Sequence, residues 1–139
     1  MNITVIDGQG GQLGAQLVKE ITAQFNTADI TAIGTNAIAT SAMLKAGAKQ
    51  AATGENAAIV ACRKADVIIG PAGIVIADAL LGEITEKMAV AIGRADAVRI
   101  LIPTNKCDNL FAGVANLPMS TLITDALEKL GGILDAQKA

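Results

Sequence analysis

Short apolar runs alternate with amphipathic stretches along most of the chain. Ile3 to Ile6 is a β-branched run closed by Asp7 and a glycine cluster, which reads as a buried strand entering a tight turn. Leu13, Leu17, Ile21 and Phe25 then recur at helical spacing, with Lys19, Glu20 and Gln24 off that stripe. Asp29 to Gly34 reads as a second strand. Asn36 can cap an alanine-rich helix reaching about Gly47, and Gln50 to Thr53 reads as a weak third strand. Residues 55–65 look helical, and Asp66 to Gly70 is a strong apolar strand broken by Pro71-Ala72-Gly73. Ile74 to Leu81 is apolar apart from Asp78 and predicts a short helical segment.

Thr85 or Glu83 opens the next helix, with Ile84, Met88, Ala91 and Ile92 as its buried face. Val98 to Ile102 is another strand, stopped by Pro103, and Leu110 to Val114 reads as a short last strand. Pro118 sits where a helix can begin. Leu122, Ile123, Ala126, Leu127 and Leu130 form its stripe, Gly131 is placed to end it, and the closing Gln-Lys-Ala reads as frayed. Strands that are continuous apolar runs imply burial on both faces, and alternation with helices implies parallel pairing. The expected architecture is one three-layer α/β/α domain over residues 1–139, with a mainly parallel sheet of five or six strands.

Composition narrows the chemistry. The chain has 139 residues, 52% hydrophobic and 17% charged, with no His, Tyr or Trp. A Ser-His-Asp triad, a histidine metal cage and an aromatic base-stacking platform are thereby excluded. Net charge is −2 and the 11 basic residues are scattered, which argues against nucleic acid and anionic membranes as partners. Val67 to Ala77, the longest strongly apolar run, is too short to span a bilayer. The opening MNITVIDGQGG lacks a basic leader, and Cys62 and Cys107 form no CxxC, so a cytoplasmic location with reduced thiols is expected. So much apolar surface on a small chain also favours a homo-oligomer, a dimer first.

The sharpest motif is Gly8-Gln9-Gly10-Gly11-Gln12-Leu13-Gly14, joining the first strand to the first helix. Glycines there permit the bend and let backbone approach a phosphate, and N–H groups at the helix start face an anion. A nucleotide or related phosphate ligand is the expected partner. Asp7 immediately precedes the turn. Its carboxylate would repel a pyrophosphate or take the same N–H groups itself.

The GxxGxxG spacing resembles the extended and atypical short-chain dehydrogenase/reductases. Ala65-Asp66-Val67-Ile68-Ile69-Gly70-Pro71-Ala72-Gly73 is similar to the fourth-strand segment of that group, which ends beside the cofactor. The resemblance implies a Rossmann-like fold and leaves NAD(P) or another nucleotide open as ligand. The group's Tyr-x-x-x-Lys pair has no counterpart here. The second strand ends Gly34-Thr35-Asn36, with no acid for a ribose and no arginine for a 2′-phosphate. Over nearly its whole length the chain also resembles the domain-of-unknown-function 3842 family, through VIDGQGG, GPAGIVIADALLGEIT and ILIPTNKC followed by GV. That resemblance implies the fold and no reaction.

Thr104 to Asn109 is the densest polar cluster and follows an apolar strand. Asn105-Lys106-Cys107-Asp108 matches the NKxD string of GTPases, but the partner loop GxxxxGK[ST] is absent. Lys106 can act as an anion clamp with Asn105 and Asn109 as amide contacts. Cys107 beside Lys106 can be an activated thiol, although no His can serve as its base. The expected ligand site therefore joins Asp7, Gly8, Gln9, Gly10, Gly11, Gln12 and Gly14 to Thr35, Asn36, Gly70, Pro71, Gly73 and Asn105, Lys106, Cys107, Asp108. Glu83, Glu86, Asp66 and Asp78 read as surface charges or helix starts. A metal site would have to be assembled from Asp7, Asp108 and Asp78, and no spacing supports one. Two other readings stand beside a binding role. One is an enzyme using Asp7, Lys106 or Cys107 in a site completed by a partner subunit. The other is an interaction module docking through Ile74 to Leu81.

Overall fold

The computed structural model describes residues 1–104 and 109–138. Five strands, β1 (Asn2–Asp7), β2 (Asp29–Gly34), β3 (Gln50–Thr53), β4 (Val67–Pro71) and β5 (Val98–Ile102), form one all-parallel sheet. Their order is β3-β2-β1-β4-β5. Five helices connect and cover them: α1 (Gln12–Gln24), α2 (Ala37–Lys45), α3 (Glu55–Cys62), α4 (Glu86–Arg94) and α5 (Met119–Lys138). The fold is a three-layer Rossmann-like α/β/α arrangement.

Strand alternation divides the apolar residues between two cores. Ile3 and Val5 of β1 face Leu17, Val18 and Ile21 of α1, with Met43 of α2 and Ile123, Leu127 and Leu130 of α5. Ile6 and Ile68 face the other way, onto Cys62 of α3 and Met88 and Ile92 of α4. At roughly 25 cal/mol per Å² of apolar area removed from water, these two layers are the main stabilising term.

Local signals act as read at several points. Asn36 caps α2 by accepting from the Ala39 N–H at 2.9 Å, and Thr85 caps α4 by accepting from the Met88 N–H at 3.2 Å. Several expectations are corrected. Residues 74–81 are not helical: a 3₁₀ turn (Ala72–Val75) leads into a knot of tight turns in which Asp78, Leu80 and Leu81 take φ values of 67°, 58° and 57°. Left-handed residues cannot continue a right-handed helix. The segment holds its shape because Ile74, Ala79, Leu80 and Ile84 are buried in the second core. Leu110 to Val114 is a turn, not a strand. Leu110 is almost fully exposed, Gly113 has φ 77°, and the Val114 N–H donates to the Phe111 carbonyl at 3.4 Å. Gly131 does not stop α5, because Ile133 and Leu134 extend the apolar stripe onto the first core. The helix therefore runs to Lys138, through the Gln137 and Lys138 expected to fray. On α4, Ala89 is buried where Ala91 was expected to be. No helix among the described residues is long and apolar enough to cross a membrane.

Candidate functional site

The sheet order reverses between β1 and β4: the chain leaves β1 toward β2 on one side and leaves β4 toward β5 on the other. Connections diverge there, so a crevice opens beyond the strand ends, and this is where open α/β sheets bind ligands. A cleft of about 240 Å³ lies at this place. Asp7 through Leu13 form one wall, and Pro71, Leu80, Thr104 and Met119 contribute the rest.

The glycine turn is tightly specified. Gly11 starts α1 with φ 73°, in the left-handed region, and a Cβ there would stand 2.6 Å from the Ala39 Cα of α2. Gly8 is closed in by Thr35, Leu80 and Glu83, whereas a Cβ on Gly10 would meet nothing within 4 Å.

Two carboxylates share the main-chain donors of this turn. Asp7, nearly buried at 6% exposure, accepts from the Gly8 N–H at 2.8 Å and the Gly14 N–H at 2.7 Å. It therefore does what a capping side chain does, from inside the preceding strand. Glu83 accepts from the Gln9 N–H at 2.8 Å and from Asn36 Nδ2 at 2.6 Å. Asn36 Nδ2 also donates to the Gln9 carbonyl at 2.9 Å, so the end of β2 is tied to the turn. The N–H groups of Gly10, Gln12 and Leu13 have no acceptor among the described residues. The buried Thr35 hydroxyl likewise has none there.

Asp29, at the start of β2, is held below the usual carboxylate range by its hydrogen bond and charge contact with Lys49 at 2.9 Å. Burial pushes the Cys62 thiol up, partly offset by the charge of Arg99. No three His, Cys, Asp or Glu side chains converge on a metal position among the described residues. The arrangement at the turn is one of hydrogen-bond donors and acceptors, suited to holding a small polar molecule.

The family described as Domain of unknown function (DUF3842) matches residues 2–135. The chain belongs to this family. No curated protein matches it. Among solved structures it is similar to a dodecameric FMN-dependent UbiX-like decarboxylase from Escherichia coli O157:H7, at 16% identity and a TM-score of 0.46, over 94% of this chain and 77% of that one.

In this DUF3842 chain the residues named from sequence separate into groups. Asp7, Gly8, Gln9, Gly10, Gly11, Gln12 and Pro71 meet at the cleft. Asn36 and Thr35 stand behind the turn, against Gln9 and Gly8. Gly14 is buried beneath it, beside Met43 and Asp7. Gly70 is buried against the Ile6 backbone and Gly73 against Ala79, and neither lines this cleft. Asn105, Lys106, Cys107 and Asp108 lie outside the described residues. Glu83 was expected to be a surface charge or a helix start, and the structure corrects this: Thr85 is the cap and Glu83 is folded onto the turn. No local signal marks it. Its partners are 74 and 47 residues away in sequence.

Proposed function

We propose that this protein binds a small ligand carrying a single phosphate, of the mononucleotide class, in the cleft at the start of α1, and acts by binding and not as an independent catalyst. The observation that carries the reading is the set of N–H groups on Gly10, Gln12 and Leu13. These residues line the cleft, and the groups have no acceptor among the described residues. Such groups at a helix start, at the point where strand order reverses, favour an anion.

Two features argue for one phosphate and not two. The Gly8, Gln9 and Gly14 donors are already committed to Asp7 and Glu83, and the Gly11 donor to the Gly8 carbonyl, so less than half of the turn is free. The cleft, at about 240 Å³, is also below the roughly 300–1,000 Å³ usual for drug-sized ligands. A dinucleotide would extend beyond it.

The test is titration with AMP and with inorganic phosphate, in the natural chain and in Gly10→Asp. Space around Gly10 is open, so the variant keeps its fold while placing a carboxylate among the free donors. AMP binding should weaken at least tenfold, with an unchanged circular dichroism spectrum. Equal affinity in the two proteins overturns the proposal. A prior check is simple, because the chain has no Trp or Tyr. A band near 260 nm released on denaturation would come from bound nucleotide.

A further inference from the structure

The edge strands of a sheet leave a row of backbone donors and acceptors unpaired, and proteins guard such edges with polar or charged side chains and with brevity. The two edges of this sheet differ. β3 is short, follows Lys49, and presents Gln50, Ala52 and Thr53 to solvent. β5 is apolar apart from Arg99. Arg99 is exposed, but its Nη1 is tied back toward the end of α4, donating to the carbonyls of Ala95 at 2.7 Å, Ala97 at 3.2 Å and Ile92 at 3.4 Å. Val98 is left 50% exposed.

Beside this edge runs an open groove of about 560 Å³, between β5 and one side of α5. The helix contributes Leu122, Ala126, Gly132 and Ile133, with one acid and one base, Asp125 and Lys129. The spacing is helical, so these residues form a stripe along α5. Asp125 and Lys129 pair with each other at 2.5 Å, and both are more than half exposed. An exposed pair of this kind contributes little within one chain.

We infer that the β5 edge and the α5 stripe are a self-association surface, occupied by a second copy of this chain about a two-fold axis perpendicular to the sheet. That axis sets the two β5 strands antiparallel, so their unpaired backbone groups can satisfy each other. It also keeps both α5 helices on the same face of the joined sheet, antiparallel and side by side. An axis passing between Asp125 and Lys129 brings each Asp125 opposite Lys129 of the partner subunit. One acid and one base, one helical turn apart, are self-complementary under this symmetry, which a different partner would not require. Gly132, exposed on this stripe, allows the helices to approach closely. This surface is separate from the glycine turn, so the inference stands independently of the proposed ligand.

The experiment is light scattering on the full chain and three variants: Asp125→Lys, Lys129→Glu and the double reversal. Both positions are exposed, so folding is retained and is checked by circular dichroism. The natural chain should show twice the 14.0 kDa chain mass. Each single reversal should raise the dimer dissociation constant at least tenfold, because it sets like charges across the axis. The double reversal should restore it. A monomeric natural chain, an assembly unmoved by the single reversals, or a double reversal as weak as the singles would each overturn the inference.

Discussion

Replacing Glu83 with Gln separates what this residue does for the fold from its expected effect on the proposed phosphate ligand, because the two effects have opposite signs. Both Glu83 oxygens accept, from the Gln9 N–H at 2.8 Å and from Asn36 Nδ2 at 2.6 Å. A glutamine offers one oxygen and one NH₂, so one of the two donors must face another donor. A hydrogen bond to a charged group is worth about 1.5–3 kcal/mol, and the half-buried setting favours the lower end. Stability should fall by about 1.5 kcal/mol, or about 3–6 °C in Tm for a chain of this size. Phosphate binding should change the other way. A carboxylate about 4 Å from a phosphate charge opposes it by about 1 kcal/mol in water and about 4 kcal/mol at an effective dielectric constant of 20. The open cleft lies toward the watery limit, so removing the charge should tighten AMP binding by about 1.4 kcal/mol, tenfold. Calorimetric titration at about 0.15 M salt and again at higher salt reads this directly, with the gain shrinking as screening increases. If Glu83→Gln melts lower but binds AMP no more tightly, then Glu83 does not oppose an anion and the ligand class is wrong.

Two further outcomes follow from the geometry. Gly11→Ala forces a Cβ into the left-handed region and against the α2 backbone, at about 1–2 kcal/mol for the conformation and about 1–3 kcal/mol for the overpacking. The urea midpoint should drop with an unchanged slope, and a midpoint equal to that of the natural chain would contradict the turn geometry. Cys62, with its thiol raised above the ordinary value of 9.0, is neutral in the fold over a wider range than in the unfolded chain. Its stabilising contribution is therefore complete below pH 9 and is lost as pH rises through the folded value. Urea stability should decline above pH 9 by less in Cys62→Ala than in the natural chain, and iodoacetamide should label Cys62 faster after unfolding, read by peptide mass spectrometry.

The sequence was legible where the deciding interaction is local. The four stronger strands follow from apolar runs, and the weak β3 was also found. The first helix follows from one clean stripe, and α2 from an asparagine whose partner lies three residues on. The glycine turn was legible because glycine spacing encodes backbone geometry directly. Asp7 was recognised as a competitor for the turn's donors because the competition is between near neighbours.

The misreadings share one physical cause. Ile74 to Leu81 is apolar enough for a helix, yet its conformation is set by which residues reach the second core, and those contacts run to distant elements. Gly131 reads as a helix end by intrinsic propensity alone, but in the fold it sits against Phe25, and Ile133 and Leu134 beyond it join the first core. Leu110 to Val114 has strand-like residues but is a turn with no neighbour in the sheet. Glu83 is the clearest case, because nothing within several residues of it indicates a role, and only the left-handed turns around it deliver its carboxylate to Gln9 and Asn36. Local chemistry thus wrote the elements and the glycine turn into the chain. The long-range packing of two cores decided where the turns bend, where α5 stops, and which acid shares the glycine turn's donors, because each of these depends on contacts that exist only once the layers have closed.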